Sequence, residues 1–155
     1  MLRQGRRGAA VRLGGGATLA ALALACAHAE PALARSVSVR DEGRLRFVGS
    51  SATALIDEGP IGGTLPGRAR VRFVYNGSPN VTATFTIRTS GGSLSGSARC
   101  RLSNPASPTP SFRGALRISG GSGRYARARG SGELFGVFHR HGYGLVVQAI
   151  GRMSY

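Results

Sequence analysis

The strongest constraint on this chain is an apolar alternation with a period of two. In Arg68-Ala69-Arg70-Val71-Arg72-Phe73-Val74-Tyr75, the set Ala69, Val71, Phe73 and Tyr75 falls on one side and the arginines fall on the other. Successive side chains of a β-strand point to opposite faces, whereas the apolar positions of an amphipathic helix recur every three or four residues. The segment is therefore read as a half-buried strand. Val81, Ala83, Phe85 and Ile87 repeat the pattern against Thr82, Thr84, Thr86 and Arg88, and Asn76-Gly77-Ser78-Pro79 between the two runs is turn chemistry. Residues 68–88 thus predict a β-hairpin.

After Gly91-Gly92 the alternation continues through Leu94, Gly96, Ala98, Cys100 and Leu102. It lapses from Ser103 to Ser111, where Pro105, Pro108 and Pro110 have no amide hydrogen to donate to a ladder. Strands are expected again at Phe112–Ile118, about residues 130–138, and Tyr143–Ile150, with a short last piece ending at Tyr155. Upstream, Ser36–Arg40, Leu45–Gly49 and Ala52–Ile56 predict shorter strands. That is about seven to nine strands and no helix. Such a meander leaves sheet edges open, and all-β domains remove edges by closing into a barrel or pairing into a sandwich. Gly96, Gly114 and Gly136 lie on the apolar stripe, where a missing side chain permits tight curvature and close backbone approach. The expected fold is therefore all-β, a small antiparallel barrel, closed or nearly closed, of about eight strands.

Residues 1–29 have the layout of a secretory signal: Arg3, Arg6, Arg7 and Arg12, then the apolar run Ala17–Ala25, then Ala27-His28-Ala29 as a cleavage site. The run is too short to span a bilayer as a helix. Arg6-Arg7 also fits a twin-arginine signal, Cys26 faintly fits a lipoprotein box, and Ala32-Leu33-Ala34 offers a later cleavage site. The expected destination is secretion, the periplasm or the cell envelope, with residues 30–155 forming one domain. Cleavage keeps Cys100 as the one cysteine, so stability has to come from a packed core.

All 21 basic residues are arginine, against 6 acidic ones. Losing residues 1–29 removes four arginines and no acid, lowering the formal charge of +15 by four. A basic chain invites a nucleic-acid reading. Here, however, the arginines are spread singly along the solvent faces of strands, and stacking aromatics are few, with 6 Phe, 4 Tyr and no Trp. Nucleic acid is therefore not expected as a partner, whereas adhesion to an anionic envelope surface needs only long-range charge.

Candidate chemistry is sparse. On a strand, His139 and His141 would share a face and could offer two metal ligands, with Glu133 as a third, but Arg140 between them disfavours a cation, and exposed histidines at a hairpin tip are the favoured reading. Cys100 is flanked by Arg99 and Arg101, yet alternation turns it to the apolar side, as a buried, inert thiol. Asp41-Glu42 and Asp57-Glu58 could each offer a rim carboxylate facing a ligand or a general acid, but each precedes a glycine, and solvated turn acids at strand ends are the favoured reading. No serine-histidine-aspartate arrangement with a nucleophile elbow is visible. No helix follows the glycines at 120–123 to make a phosphate cradle, and no cofactor motif is present.

The segment from Leu116 to Gly132 contains Ile118, Gly120-Gly121-Ser122-Gly123, Tyr125 two residues beyond the last of those glycines, and Ala128-Arg129-Gly130. It resembles the strand-turn-strand signature of the allene oxide cyclase and dirigent-like barrels, a likeness that covers roughly residues 90–155 well. Gly120, Gly121 and Gly123 are expected to supply positive φ, Tyr125 to pack, and Ala128 and Gly130 to let the next strand approach. The resemblance implies an eight-stranded barrel with an apolar interior. It transfers no catalytic residue, because the polar groups those families use inside the barrel have no matching motif here. The interior is expected to be lined by Phe73, Tyr75, Phe85, Leu116, Leu134 and Tyr143, and either to be filled as core or to hold a small apolar molecule. An isomerase acting inside the barrel and a basic envelope-associated interaction protein are the alternatives. A hollow interior with a buried acid would favour binding or isomerisation, and a filled one would remove both.

Overall fold

The alternating stripes of the hairpin over residues 68–88 lie side by side on one face in the structure: Val71 lies opposite Phe85, Ala69 opposite Ile87 and Phe73 opposite Ala83. The computed structural model describes residues 35–75 and 78–155. The signal-like segment 1–29, and Asn76 and Gly77 of the hairpin turn, lie outside the described residues. The strands are β1 (Ser36–Ser51), β2 (Ala54–Gly63), β3 (Gly67–Val74), β4 (Asn80–Thr89), β5 (Gly92–Ser103), β6 (Ser111–Gly121), β7 (Arg129–His139) and β8 (Gly144–Ser154). Each pairs antiparallel with the next, and β8 returns to β1, so the eight strands form a closed barrel. Among the described residues the helical content is one 3-10 turn, Gly123–Tyr125, and no helix is long and apolar enough to cross a membrane.

Closure explains where the strand boundaries depart from expectation. Ser36–Arg40 and Leu45–Gly49 are not two strands but parts of one, β1, which runs straight through Asp41-Glu42-Gly43. That stretch is held on both sides, Asp41 facing Gly63 of β2 and Ala149 of β8. Ladders on both edges outweigh the local turn preference of an Asp-Glu-Gly sequence. Likewise β2 does not end before Asp57-Glu58-Gly59-Pro60 but continues through it, with Pro60 exposed on the outside. At the other end of the chain, β8 is continuous from Gly144 to Ser154, and Tyr143 stands before it in the turn with φ +48.

The glycines on the apolar stripe are sites of close approach. A Cβ at Gly96 would lie 2.1 Å from the Arg117 carbonyl oxygen and 2.5 Å from Phe85, and Gly114 and Gly136 meet neighbouring carbonyls at 2.0 and 2.1 Å. A side chain there would push two strands apart. In the β6–β7 connection Gly123 has the left-handed φ of +60. Gly121, expected to share that role, does not; a Cβ on it would sit 1.9 Å from the Ser93 carbonyl oxygen, so its service is proximity.

The two ends of the barrel are built differently. At one end Leu65, Leu94, Ile118, Tyr125, Ala128 and Met153 form a sealed cluster. Tyr125 is 0% exposed, its ring 5.0 Å from that of Tyr155, with Arg124 4.8 Å above its face. The turn thus folds an aromatic plug across the barrel end, and Ala128 and Gly130 let β7 start beneath it. A second cluster, Leu45, Ile61, Ala69 and Leu145, lies further along the interior. Toward the opposite end the inward-facing Phe73, Tyr75, Val81, Leu102, Phe112 and Phe138 are only half buried. For residues that point inward, this remaining exposure belongs to an internal space.

Candidate functional site

That space is a cavity of about 320 Å3. Alternation from all eight strands lines it with apolar side chains, and the six residues expected from the sequence, Phe73, Tyr75, Phe85, Leu116, Leu134 and Tyr143, are brought together around it. Five of them stand on β3, β4, β6 and β7 or at the end of β3. The sixth is placed differently from its expected position within a strand: Tyr143 is 53% exposed in the β7–β8 turn, where its ring meets that of Phe47 at 5.5 Å. Tyr143 and Arg140 face the cavity and solvent together, which marks this end as the mouth. A left-handed backbone is unusual for a bulky aromatic residue and is held here by the tight return into β8.

The loop beside the mouth is fastened by Arg140. Its amide donates to the Pro108 carbonyl at 3.0 Å, and its guanidinium donates to the carbonyls of Ser107 at 3.0 Å and Pro105 at 2.6 Å. Pro110 of the same loop is buried and accepts a hydrogen bond from the Phe138 amide. The proline-rich segment is thereby an ordered rim, with its carbonyls facing a cation.

Two carboxyl groups lie inside, and both correct the expectation of solvated turn acids. Asp41 is 7% exposed and faces the cavity near its sealed end. Its Oδ1 accepts the Leu65 amide at 2.9 Å, tying the β2–β3 connection to β1. Burial pushes its pKa up, while the amides of Leu65 and Thr64 pull the other way. Asp57 is 1% exposed, and both carboxyl oxygens are buried without a hydrogen-bond partner among the described residues. It stands opposite Val71 of β3 and Phe47 of β1, on the inner face with Leu55 and Ile61. Desolvation pushes its pKa up to about 6. The neighbouring Glu58 points outward and pairs with Arg70 and, at 3.7 Å, with Arg68.

The signal for both inward acids was present in the spacing. Val37, Val39, Asp41, Gly43, Leu45 and Leu55, Asp57, Gly59, Ile61 are unbroken period-two combs, each with one acid on the apolar side. Local turn chemistry masked them.

The remaining candidates are dispersed. Cys100 lines the cavity opposite Val81 and Gly114, half buried, and burial raises its pKa, so it is held as a thiol. His139 ends β7 and His141 lies exposed in the following turn, whereas Glu133 is on the outer face with Arg113 at 2.7 Å. No three metal-ligating side chains gather among the described residues. Comparison with protein families, with curated proteins and with solved structures finds no match to this chain.

Proposed function

We propose that this protein binds a small apolar molecule inside its barrel. The observation that carries the reading is the cavity of about 320 Å3, lined by apolar side chains and open beside Tyr143 and Arg140. It lies within the range of roughly 300 to 1,000 Å3 for small-molecule sites. An apolar cavity of about 150 Å3 takes up benzene, so twice that volume suits a molecule of about two rings. A barrel stabilised purely as a core would close over such a void, because packing lost around empty space is destabilising. The signal-like layout of residues 1–29 supports a binding role outside the cytoplasm, with residues 30–155 as the binding domain.

The test is titration with N-phenyl-1-naphthylamine, whose emission rises and shifts to the blue in an apolar site. Saturable one-to-one binding is expected, and an Ala83→Trp variant that fills the interior should abolish it while keeping the far-ultraviolet circular dichroism of the barrel. Absence of saturation, or binding indifferent to the filled interior, would overturn the proposal. An isomerase acting inside the barrel is the second reading, supported by Asp57 as a buried acid. Binding comes first because Asp41, the buried acid among the lining residues, is already engaged by the Leu65 amide.

A further inference from the structure

We infer that the molecule held in the barrel is a lipophilic amine, its ammonium group taken by the Asp57 carboxylate and its hydrocarbon part by the apolar wall. The inference rests on the reading of the interior as a binding cavity and adds the chemical class of the ligand. Both oxygens of Asp57 are buried, and neither has a hydrogen-bond partner among the described residues. Buried polar groups are almost always hydrogen-bonded, so an orphaned carboxyl on the inner face is a site waiting for a donor. An ionised carboxylate only accepts, and its best complement is a cation with N–H groups.

Among the described residues no arginine is paired with that carboxyl. Arg68, Arg70 and Arg72 of the adjacent strand alternate away from the interior and are exposed. Arg140, at the mouth, has its guanidinium turned onto the carbonyls of Pro105 and Ser107. Asp57 does not itself line the cavity, but its neighbours on the inner face do. Leu55, two residues before Asp57 on the same face, and Val71, directly opposite it, both line the void. Directly opposed residues in a sheet have Cβ atoms about 5 Å apart, so the carboxyl stands about one side chain behind the cavity wall.

The wall narrows the class further. A metal ion would need more ligands than one carboxyl, and no such group gathers among the described residues. A guanidinium has five N–H donors, and an apolar wall would leave most of them unsatisfied. A secondary ammonium has two, one for each oxygen of Asp57, and everything else about it can be hydrocarbon.

The test uses N-methyl-1-naphthylmethylamine and 1-(methoxymethyl)naphthalene, which match in shape and differ in the ammonium. Calorimetric titration at pH 7.5 should show the amine binding at least tenfold more tightly than the ether. In Asp57→Asn the amine should lose at least tenfold and the ether less than twofold. If Asp57→Asn fails to fold, Asp57→Leu, which substitutes an apolar side chain, is expected to give the same loss of amine preference. Equal binding of amine and ether by the natural protein, or an amine preference that survives loss of the carboxyl, would overturn the amine assignment and leave the cavity reading standing. Failure of both compounds while N-phenyl-1-naphthylamine still binds would overturn the amine assignment alone. Failure of all three would remove the cavity reading with it.

Discussion

Replacing Asp57 by asparagine should change how stability depends on pH, and the size of the change follows from the structure. The folded carboxyl titrates at about 6, against a reference of 3.8 for the unfolded chain. Between those values the folded state holds more protons than the unfolded one, so stability falls as pH rises. The contribution of the protonated acid is complete below pH 3.8 and is lost as pH passes 6. A shift of this size corresponds to about 3 kcal/mol in full, roughly 2 kcal/mol of it between pH 4 and pH 8. Asparagine is neutral throughout. It leaves a buried amide in place of the acid, which offsets the whole curve by a constant and adds no slope. Urea unfolding followed by far-ultraviolet circular dichroism at intervals from pH 4 to pH 8 gives both curves. Asp41 titrates in the same direction, but it is present in both proteins, and its effect cancels in the difference. The natural protein should lose roughly 2 kcal/mol relative to Asp57→Asn across that range. Parallel curves would refute the argument, since they would mean that the carboxyl is solvated or paired in the folded state.

Two further outcomes follow from close packing and from the cavity wall. Gly96→Ala should lower stability by about 2 kcal/mol or more, because its Cβ would meet backbone at 2.1 Å. Gly62→Ala, with open space around its Cβ, should stay within about 0.5 kcal/mol, and thermal melts of the pair separate steric approach from strand propensity. Cys100 in a Cys26→Ser background should react slowly with iodoacetamide at pH 7, and more slowly still when N-phenyl-1-naphthylamine is bound. A rate unchanged by saturating probe would contradict the placement of that thiol in the binding wall.

Much of the barrel was legible because its information is local and periodic. The stripe at Ala69, Val71, Phe73 and its partner at Val81, Ala83, Phe85 determine which side faces inward, and the stripe glycines mark where strands crowd. Tyr125 and Gly123 likewise carried enough local chemistry to foretell a buried aromatic after a left-handed turn. The acids were misjudged for the opposite reason. Asp41-Glu42-Gly43 and Asp57-Glu58-Gly59 have strong turn propensity, and only the ladders formed by distant strands keep them extended. Tyr143 reads as the start of a strand in the sequence, whereas the short return from β7 holds it in the turn. The hollow centre had no sequence signal at all, because a void is a sum over inward side chains on eight strands.

The last strand of this barrel is also the partner of the first. The Arg35 amide donates to the Tyr155 carbonyl at 3.0 Å and the Tyr155 amide donates to the Arg35 carbonyl at 3.1 Å, and pairing runs from Ser36 with Ser154 to Arg46 with Gly144. Contacts between the barrel's first and last strands are slow to form, since the six strands between them must be looped out before they are made. Until the final 11-residue strand is available, β1 and β7 each present an open edge able to recruit a second chain. Synthesis from the amino end therefore delivers the seam's second half last, and a chain shortened before Gly144 is left as an open, self-adhesive sheet whose inner apolar face has lost its enclosure.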